Sequence, residues 1–478
     1  MLYRFRWVFC QLDALQHCFP ANLRQYLNEL PETLDETYEQ ILSDINQAQK
    51  DNAHRLLQCL TVAVRPLEVK ELAELLAFDF QASTAGGMPT LKEDWRWDDE
   101  EEAVLSTCSS LITVIHHANT RVVQFSHFSV KEFLTSSCLE RSPHGGVSRF
   151  HIDLEPAHTI MAQACLATLL RQDEHARIRN SDATVSPLLN YAAQHWVYHA
   201  QFENVSSRVR DAMDDLFDSS KPHFYAWIQV YDFDKKWSYY WSRNGLGSPL
   251  YYAAFCGLYD LVERLITRHP EQVNTRGGHY LLPLPAALFK KHFRIANLLY
   301  TCGAIVEVQV ADNFTLLHVA SSNHQVDIMR WLLDHGADKN ARTRYLWTPL
   351  HGAVLRPWSK AVQVLLEHNA DANLQDIHGR TPLHRTLVHG MEGMLIDVVR
   401  RLLEHGADPN IRTNHTTPLH QASSHGSLEV ARLLLSYGAN VDEKDENGKT
   451  PLQVVASSRH EEMTKLLIEH GAVSQSQP

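Results

Sequence analysis

The chain has 478 residues, of which 44% are hydrophobic and 21% charged, an ordinary composition for a soluble globular protein of about three domains. Its formal net charge of −12 disfavours the phosphate backbone of a nucleic acid as the partner, and no apolar run approaches the length of a membrane span. The eight cysteines lie in scattered apolar contexts without CxxC spacing, which favours free thiols in a reducing compartment, the cytoplasm or the nucleus.

The first residues predict the start of an amphipathic helix. Arg4 and Arg6 precede a short apolar run over residues 7–9, and Gln11 and Asp13 end that run early. The run is too short for the core of a signal peptide. We therefore expect residues 1–33 to be a helical segment of the folded protein.

Residues 34–140 carry the element order of a winged-helix domain. Leu34 and Tyr38 share one face of the first predicted helix, and Pro66 ends the second. The elements expected after the first helix are helices over 53–64 and 67–77, a helix through Val104, strands over 111–116 and 121–125, and a helix over 130–134. Helices followed by a hairpin wing and a closing helix predict a winged-helix domain.

A winged helix often binds DNA, so the charges on this domain matter. The helix after Pro66 carries Glu68, Glu71 and Glu74 against a single Lys70. A helix that reads a DNA groove presents basic or amide side chains to phosphates and bases. We expect these carboxylates to repel a duplex, which disfavours nucleic acid as the partner of this domain.

Residues 141–236 predict a helical connecting region, with helices over 157–170 and 188–200. His195 and His199 lie four residues apart on the second helix, a spacing that could bind a metal. There is no HExxH glutamate and no third ligand in view. Surface histidines or hydrogen-bonded core histidines are therefore favoured over a metal site.

Residues 237–478 contain an internal repeat. Thr-Pro-Leu-His begins at positions 348, 381 and 417, and variants begin at 248, 282, 315 and 450. Successive copies are 33 residues apart, except for a first interval of 34 and one of 36, where residues 391–393 are inserted. Proline suits the first turn of a helix and the threonine before it can cap that helix. This is the ankyrin pattern, and it predicts an α-solenoid of about seven ankyrin repeats.

The motif histidines invite a metal hypothesis. These are His318, His351, His384 and His420. Because they recur at the repeat period, each occupies the same place in its own repeat, and four ligands spaced one repeat apart are too distant for one ion. We predict that they are structural and bond to neighbouring backbone, and we expect no metal and no cofactor.

Ankyrin stacks bind partners through their turn tips and concave face, which stacking leaves free. One tip is unusual, because Leu346 and Trp347 replace the glycine and polar residue found at 379–380 and 448–449. Aromatic residues and arginine are favoured as binding anchors, although Trp347 and Trp358 could equally pack on the adjacent repeat. The candidate partner-binding residues are Arg342, Arg344, Tyr345, Trp347, Trp358, His378, Arg412 and His415.

Five segments carry a family resemblance in combination. They are residues 5–13, 30–38, 57–67, 123–134 and 191–200. Together with the repeats, they resemble the fungal NACHT–ankyrin proteins, members of the signal-transducing ATPases with numerous domains (STAND). The resemblance implies that residues 1–33 are the remnant of a region that follows a NACHT nucleotide domain. It also implies a winged helix of the GPI inositol-deacylase type over 34–140, acting as a conformational coupler without deacylase activity.

The NACHT–ankyrin family carries a P-loop, GxxxxGK[ST], upstream of the segment matched by residues 5–13, and these 478 residues contain no such motif. The family's ATPase activity therefore transfers to no residue here. Either the sequence is a fragment or has a misassigned start, or it is a natural form without its motor.

The sequence also lacks a G-x-S-x-G elbow and a catalytic context for any cysteine, so we expect no enzyme. Two functions remain open. One is a non-catalytic adaptor whose ankyrin repeats bind a protein partner. The other is the sensor half of a STAND-type signalling ATPase, similar to those of innate immunity or heterokaryon incompatibility. Neither requires a membrane or a small-molecule substrate.

Overall fold

The computed structural model describes residues 33–80, 87–108, 110–117, 120–142, 146–171, 186–232, 234, 245–355, 359–388, 392–413, 416–456 and 460–473. Within these ranges the chain is mostly helical, and it divides into two compact units, residues 1–235 and 236–478. The amphipathic helix expected near the N-terminus lies outside the described residues.

The N-terminal unit begins with a winged-helix domain. Its elements are α1 (Leu34–Ser43), α2 (Lys50–Val62), β1 (Leu67–Glu68), α3 (Val69–Leu76), β2 (Phe78–Asp79), β3 (Thr90–Leu91), α4 (Glu100–Cys108), β4 (Ile112–His117), β5 (Thr120–Phe125), α5 (Phe128–Leu134) and α6 (Ser137–Glu140). A capping box starts α1, in which Thr33 Oγ1 accepts the Glu36 N–H and the Glu36 carboxylate accepts the Thr33 N–H, both at 3.2 Å. Strands β1, β5 and β4 form an antiparallel sheet, with Leu67 opposite Val123. The predicted winged-helix fold is confirmed.

A second group of helices completes the N-terminal unit. It comprises α7 (Leu154–Leu170), α8 (Leu189–Ala200), α9 (Val205–Arg208), α10 (Arg210–Leu216) and α11 (His223–Val230). Buried aromatic rings hold these helices together: Trp196 lies edge-on to Trp227 at 5.4 Å between ring centroids, and both contact Phe217. The Trp227 indole N–H donates to the Ala193 carbonyl at 3.0 Å, so the buried donor is satisfied.

The C-terminal unit contains seven helix pairs in its described ranges. They are α12 (Pro249–Cys256) with α13 (Tyr259–Arg268), α14 (Pro283–Phe289) with α15 (Phe293–Thr301), α16 (Leu316–Ser322) with α17 (Val326–Asp334), α18 (Pro349–Ala353) with α19 (Ser359–Glu367), α20 (Pro382–Val388) with α21 (Glu392–Glu404), α22 (Pro418–His425) with α23 (Leu428–Ser436), and α24 (Pro451–Ala456) with α25 (Glu461–Glu469). Motif threonines cap the first helices; Thr348 Oγ1, for example, accepts the His351 N–H at 3.4 Å. First helices pack side by side between most successive repeats, as do second helices. The predicted solenoid is confirmed.

A ladder of asparagine side chains also links the repeats, which the sequence analysis did not anticipate. Asn373 donates its amide to the Gly406 carbonyl at 2.9 Å and accepts the Asp408 N–H at 2.8 Å. Asn410 makes the same two bonds to the repeat after it. Each asparagine thus satisfies a carbonyl and an N–H of the next repeat, which adds polar specificity to the apolar stacking.

Candidate protein-binding surface

The turn tips of the ankyrin-like repeats share one hydrogen-bonded geometry. In one tip, the Asp376 N–H donates to the Arg380 carbonyl, and Asp376 Oδ1 accepts the N–H groups of His378 and Arg380, all at 2.9 Å. In the unusual tip, Thr343 takes the place of the aspartate and its Oγ1 accepts two equivalent N–H groups. The tip that contains Leu346 therefore keeps the shape of its neighbours despite its different sequence.

Leu346 occupies a backbone conformation that normally favours glycine. Its φ is +57°, close to the +72° and +73° of Gly379 and Gly448 at the same place in two later tips. For a residue with a Cβ, this left-handed conformation costs roughly 1–2 kcal/mol. The side chain is 37% exposed, so more than a third of its surface stays in contact with water. A glycine at this position would adopt the same turn without the strain.

Three large apolar side chains are exposed on two adjacent tips. Tyr345 is 42% exposed and Ile377 is 47% exposed, beside Leu346. The Ile377 N–H donates to the Tyr345 carbonyl at 3.2 Å, which places the two tips side by side. We call Tyr345, Leu346 and Ile377 the tip patch. Arg342, Arg344 and His378 are exposed beside it.

Trp347 faces the repeat stack. It is half-buried, and the Arg385 guanidinium of the next repeat lies 3.8 Å from the centre of its ring. Arg385 Nη1 in turn donates to Asp376 Oδ2 at 3.2 Å. Of the two alternatives for Trp347, the structure places it against the adjacent repeat. Arg385 was not among the residues predicted from the sequence. Its signal was its position directly after Thr-Pro-Leu-His, where three other repeats have Val319, Gly352 and Gln421.

The other candidate residues lie along neighbouring tips. The Arg344 N–H donates to the Asp312 carbonyl at 2.9 Å, and its guanidinium lies 3.9 Å from that residue's carboxylate. Arg412 donates to Glu443 at 3.1 Å, and the Gln375 side chain bridges to the Arg412 carbonyl at 2.9 Å. Two candidates, Trp358 and His415, lie outside the described residues.

The repeat histidines form structural bonds. The Thr348 N–H donates to His351 Nδ1 at 3.1 Å, so Nδ1 is an acceptor and Nε2 carries the proton. His351 Nε2 then donates to the Arg380 carbonyl of the next repeat at 3.0 Å, and His318 and His420 repeat this pattern. Burial lowers the pKa of His351 to about 4, which keeps the ring neutral. Over the residues that the structure describes, no group of three or more ligands is placed to hold a metal.

His199, the second histidine of the spaced pair, belongs to a buried polar chain in the N-terminal unit. Its Nε2 lies 2.9 Å from the Tyr191 hydroxyl, and its Nδ1 lies 3.0 Å from Nδ1 of His158. The Tyr191 hydroxyl also accepts the Val64 N–H at 3.2 Å. Burial lowers the pKa of His199 to about 3 and also lowers the pKa of His158, which favours the neutral form of both rings. His199 is a hydrogen-bonded core histidine, as favoured from the sequence.

The carboxylates of Glu71 and Glu74 do not face solvent, contrary to the expectation that they would repel DNA. Apart from Lys70, every residue of α3 is buried, so this helix offers no face to a groove. Glu71 accepts two bonds from Arg65, at 2.5 and 2.8 Å, and Glu74 accepts two from Arg96, at 2.7 and 3.0 Å. These carboxylates are neutralised inside the domain. The helix directly before the wing is α4, and its first turn, Glu100–Glu102, consists of acidic residues. An acidic helix in this position disfavours contact with the phosphates of DNA.

Comparison with known families agrees with this architecture. Three copies of the family described as Ankyrin repeats match residues 250–343, 341–413 and 391–477. The C-terminal unit is an ankyrin-repeat domain. Residues 39–144 match the family described as GPI inositol-deacylase, winged helix domain, which confirms the type of winged helix that the resemblance implied. Ankyrin repeats indicate a scaffold for protein–protein interaction.

Two curated relatives illustrate the similarity. The azaphilone pigments biosynthesis cluster protein L of Monascus ruber is 30% identical over 299 residues, which cover 59% of this chain and 61% of that protein. Ankyrin repeat and SOCS box protein 16 of Homo sapiens is 35% identical over 240 residues, covering 47% and 52%. The chain therefore spans 61% and 52% of the lengths of these two relatives.

Among solved structures, the ankyrin repeat domain of Bcl-3 is 29% identical and covers 47% of this chain and 100% of that chain, with a TM-score of 0.43. In the described parts of both units, no helix combines the length and apolarity needed to span a bilayer.

Proposed function

We propose that this protein is a non-catalytic scaffold whose ankyrin repeats bind a protein partner through the tip patch. The observation that carries the proposal is Leu346. Its backbone is in a conformation that favours glycine, and its side chain is exposed beside two other large apolar side chains. Backbone strain of this kind is typical of functional sites.

The composition of the surface supports a protein as the partner. Tyrosine and arginine are enriched at the energetic centres of protein interfaces, and Tyr345 lies between Arg344 and Leu346. The tips are tied to each other by backbone bonds, from Arg344 to Asp312 and from Ile377 to Tyr345. A surface held in this way loses little conformational entropy on binding.

The chemistry of the repeats supports a function without catalysis. The buried histidines of the Thr-Pro-Leu-His motif are neutral and held by a threonine and, in three of the four repeats, also by the carbonyl of the next repeat. A general base needs a free acceptor near the substrate, which these rings do not offer. The proposed binding requires no cofactor, nucleic acid, membrane or small-molecule substrate.

The test compares three forms of the full chain as baits in a lysate of the source organism. They are the natural chain, a tip variant with Tyr345→Ala and Ile377→Ala, and a control with Tyr437→Ala. Tyr437 is also 42% exposed but lies directly after the second helix of the sixth repeat, at the C-cap. We expect a set of proteins retained by the natural chain and the control and lost from the tip variant, with unchanged circular dichroism melts. Equal retention by all three baits would move the binding site off the tip patch.

A second candidate function is the sensor half of a STAND-type signalling ATPase. Its support is the combination of a winged helix of the GPI inositol-deacylase type with ankyrin repeats in one chain. In this case the winged-helix domain would present apolar surface to a nucleotide domain. Phe5, Trp7, Phe9 and Leu12, the residues that we expect on that surface, lie outside the described residues.

The described surface offers a test of this second function. Phe128, at the start of α5, is 51% exposed. The oligomeric state of the natural chain and of Phe128→Ser is measured by sedimentation velocity. Self-association of the natural chain that the substitution reduces would favour an apolar surface that normally contacts another domain. A monomer with or without the substitution would favour the scaffold alone.

A further inference from the structure

Charge is distributed unevenly over the repeat tips. The chain carries a formal net charge of −12, yet the tips of the fourth, fifth and sixth repeats, residues 342–347, 375–380 and 411–413, contain four arginines and one acid. The arginines are Arg342, Arg344, Arg380 and Arg412. The one acid, Asp376, is buried and already bonded to Arg385 and to its own turn. The tip patch therefore has a positive rim in an otherwise acidic protein.

The rim arginines are only weakly engaged within the chain. The Arg344 side chain is 74% exposed and 3.9 Å from its acidic neighbour, Asp312. Arg412 pairs with Glu443 at 3.1 Å, but both side chains are substantially exposed. Exposed ion pairs of this kind contribute little to stability, so a partner carboxylate can replace them at small cost.

Arg385 contacts Trp347 and Asp376, which neighbour the tip patch in sequence, and it has unused hydrogen-bonding capacity. Its side chain is 11% exposed, stacked on Trp347, and one N–H donates to Asp376. Its Nε is buried and makes no hydrogen bond. A guanidinium has five N–H donors, and a buried donor without a partner is unfavourable. A carboxylate that enters beside Trp347 would meet the exposed part of this guanidinium.

We propose that the partner of the tip patch is an acidic protein segment with bulky apolar side chains, which pack on Tyr345, Leu346 and Ile377 while its carboxylates bind the rim arginines and Arg385. This inference rests on the proposed scaffold function and specifies the chemistry of the partner. Arginine also binds phosphate, so nucleic acid is the competing class. Leu346 and Ile377 present aliphatic surface, which suits apolar side chains and offers bases neither stacking nor hydrogen bonds.

The experiment selects short random peptides, displayed on phage, against the full chain. Selected peptides are then synthesised with a fluorophore, and their binding is measured by fluorescence polarisation at low and high salt. The variants are Arg344→Glu with Arg412→Glu, Tyr345→Ala, and the exposed control Tyr437→Ala. Mixed-sequence single-stranded RNA of similar length is measured alongside.

We expect the selected peptides to be acidic and to carry aromatic or aliphatic residues. The charge reversal should lower the affinity for these peptides about tenfold or more, and high salt should do the same, because the rim charges are exposed to solvent. Tyr345→Ala should also weaken them, and Tyr437→Ala should leave them unchanged. Arg385→Lys keeps the charge but loses the planar fork, and we expect a several-fold loss. Unchanged affinity in this variant would reduce Arg385 to a support for Trp347.

Other outcomes separate the inference from the function on which it rests. Neutral or basic peptides that lose binding with Tyr345→Ala would overturn the acidic partner and leave the scaffold function intact. If RNA bound more tightly than any peptide and the charge reversal abolished that binding, the acidic partner would be overturned in favour of nucleic acid. Selected peptides that bind every variant equally, or no enriched peptide at all, would overturn both.

Discussion

The two units bury histidines in different ways. In the ankyrin unit, His318 and His351 each accept the N–H of a threonine in their own repeat and donate to a carbonyl of the next. In the N-terminal unit, His158 and His199 bond to each other although they are 41 residues apart. The role of a repeat residue can be inferred from its copies along the sequence. The role of a residue outside a repeat depends on a tertiary contact that the sequence does not display.

Acidification should produce the largest change in the ankyrin unit. Burial lowers the pKa of His318, His351 and His384 from 6.5 to about 4. Below pH 6.5 the unfolded chain binds protons that the native repeats exclude, so this stabilisation is complete above pH 6.5 and is lost as the pH falls toward 4. Each unit of pKa corresponds to about 1.4 kcal/mol, so we expect a loss of several kcal/mol, measured by denaturant unfolding across this range.

His351→Gln is the matched control for the pH experiment. The last repeat already has Gln453 in the histidine position, and its Oε1 accepts the Thr450 N–H at 3.0 Å. Glutamine keeps this bond and does not titrate, so the variant should show a shallower pH dependence than the natural chain. An unchanged dependence would assign the acid sensitivity to other buried histidines, such as His199, whose pKa burial lowers to about 3.

Leu383→Ala should produce the next largest effect. Leu383 is fully buried in the fifth repeat, and removing a buried leucine typically costs about 2–5 kcal/mol. Because each repeat contacts only its neighbours, we expect faster hydrogen exchange in the repeats on either side of the substitution. Little change in denaturant unfolding or in exchange would mean that the repeat core does not depend on this position.

The ankyrin unit could be predicted from the sequence in more detail than the N-terminal unit. Periodicity was enough to predict the ankyrin solenoid and the structural role of His351, because His318 and His420 make the same bonds in their own repeats. The winged helix followed from the element order. The charges of Glu71 and Glu74 were misinterpreted, since their partners Arg65 and Arg96 become apparent only in the folded domain.

Glu71→Ala tests the buried ion pair of the N-terminal unit. The Glu71 carboxylate accepts two bonds from Arg65 and one from the Glu68 N–H at 2.8 Å, all of which the substitution removes. Arg65 is 33% exposed and can turn toward water, so we expect a loss at the low end of about 1–3 kcal/mol. The measurement is denaturant unfolding of the full chain.

Asp376→Ala is the counterpart of Glu71→Ala in the ankyrin unit. Asp376 is fully buried at its side chain and holds both its own turn and Arg385, which is only 11% exposed. Since the turn and Arg385 cannot reach water as easily as Arg65, the loss of unfolding free energy should exceed that caused by Glu71→Ala. The reverse order would mean that the tips tolerate rearrangement better than the winged-helix core.

Leu346→Gly should have the smallest effect and the opposite sign. Glycine at φ +57° relieves a strain of roughly 1–2 kcal/mol but adds about 0.5–1 kcal/mol of backbone entropy to the unfolded chain. We therefore expect a net gain in unfolding free energy of up to about 1.5 kcal/mol, less the packing energy of the partly buried leucine side chain. Gly379→Ala, at φ +72° in the next tip, should lose stability for the same reason.

The same substitution should weaken partner binding, because it removes the centre of the tip patch. A variant that is more stable and binds less well would show that Leu346 is kept for binding at the expense of stability. A variant that loses stability would mean that the leucine side chain contributes packing that outweighs its strain. A variant that is more stable but binds normally would leave Tyr345 and Ile377 as the contacts that matter, and the strained leucine without a role in binding.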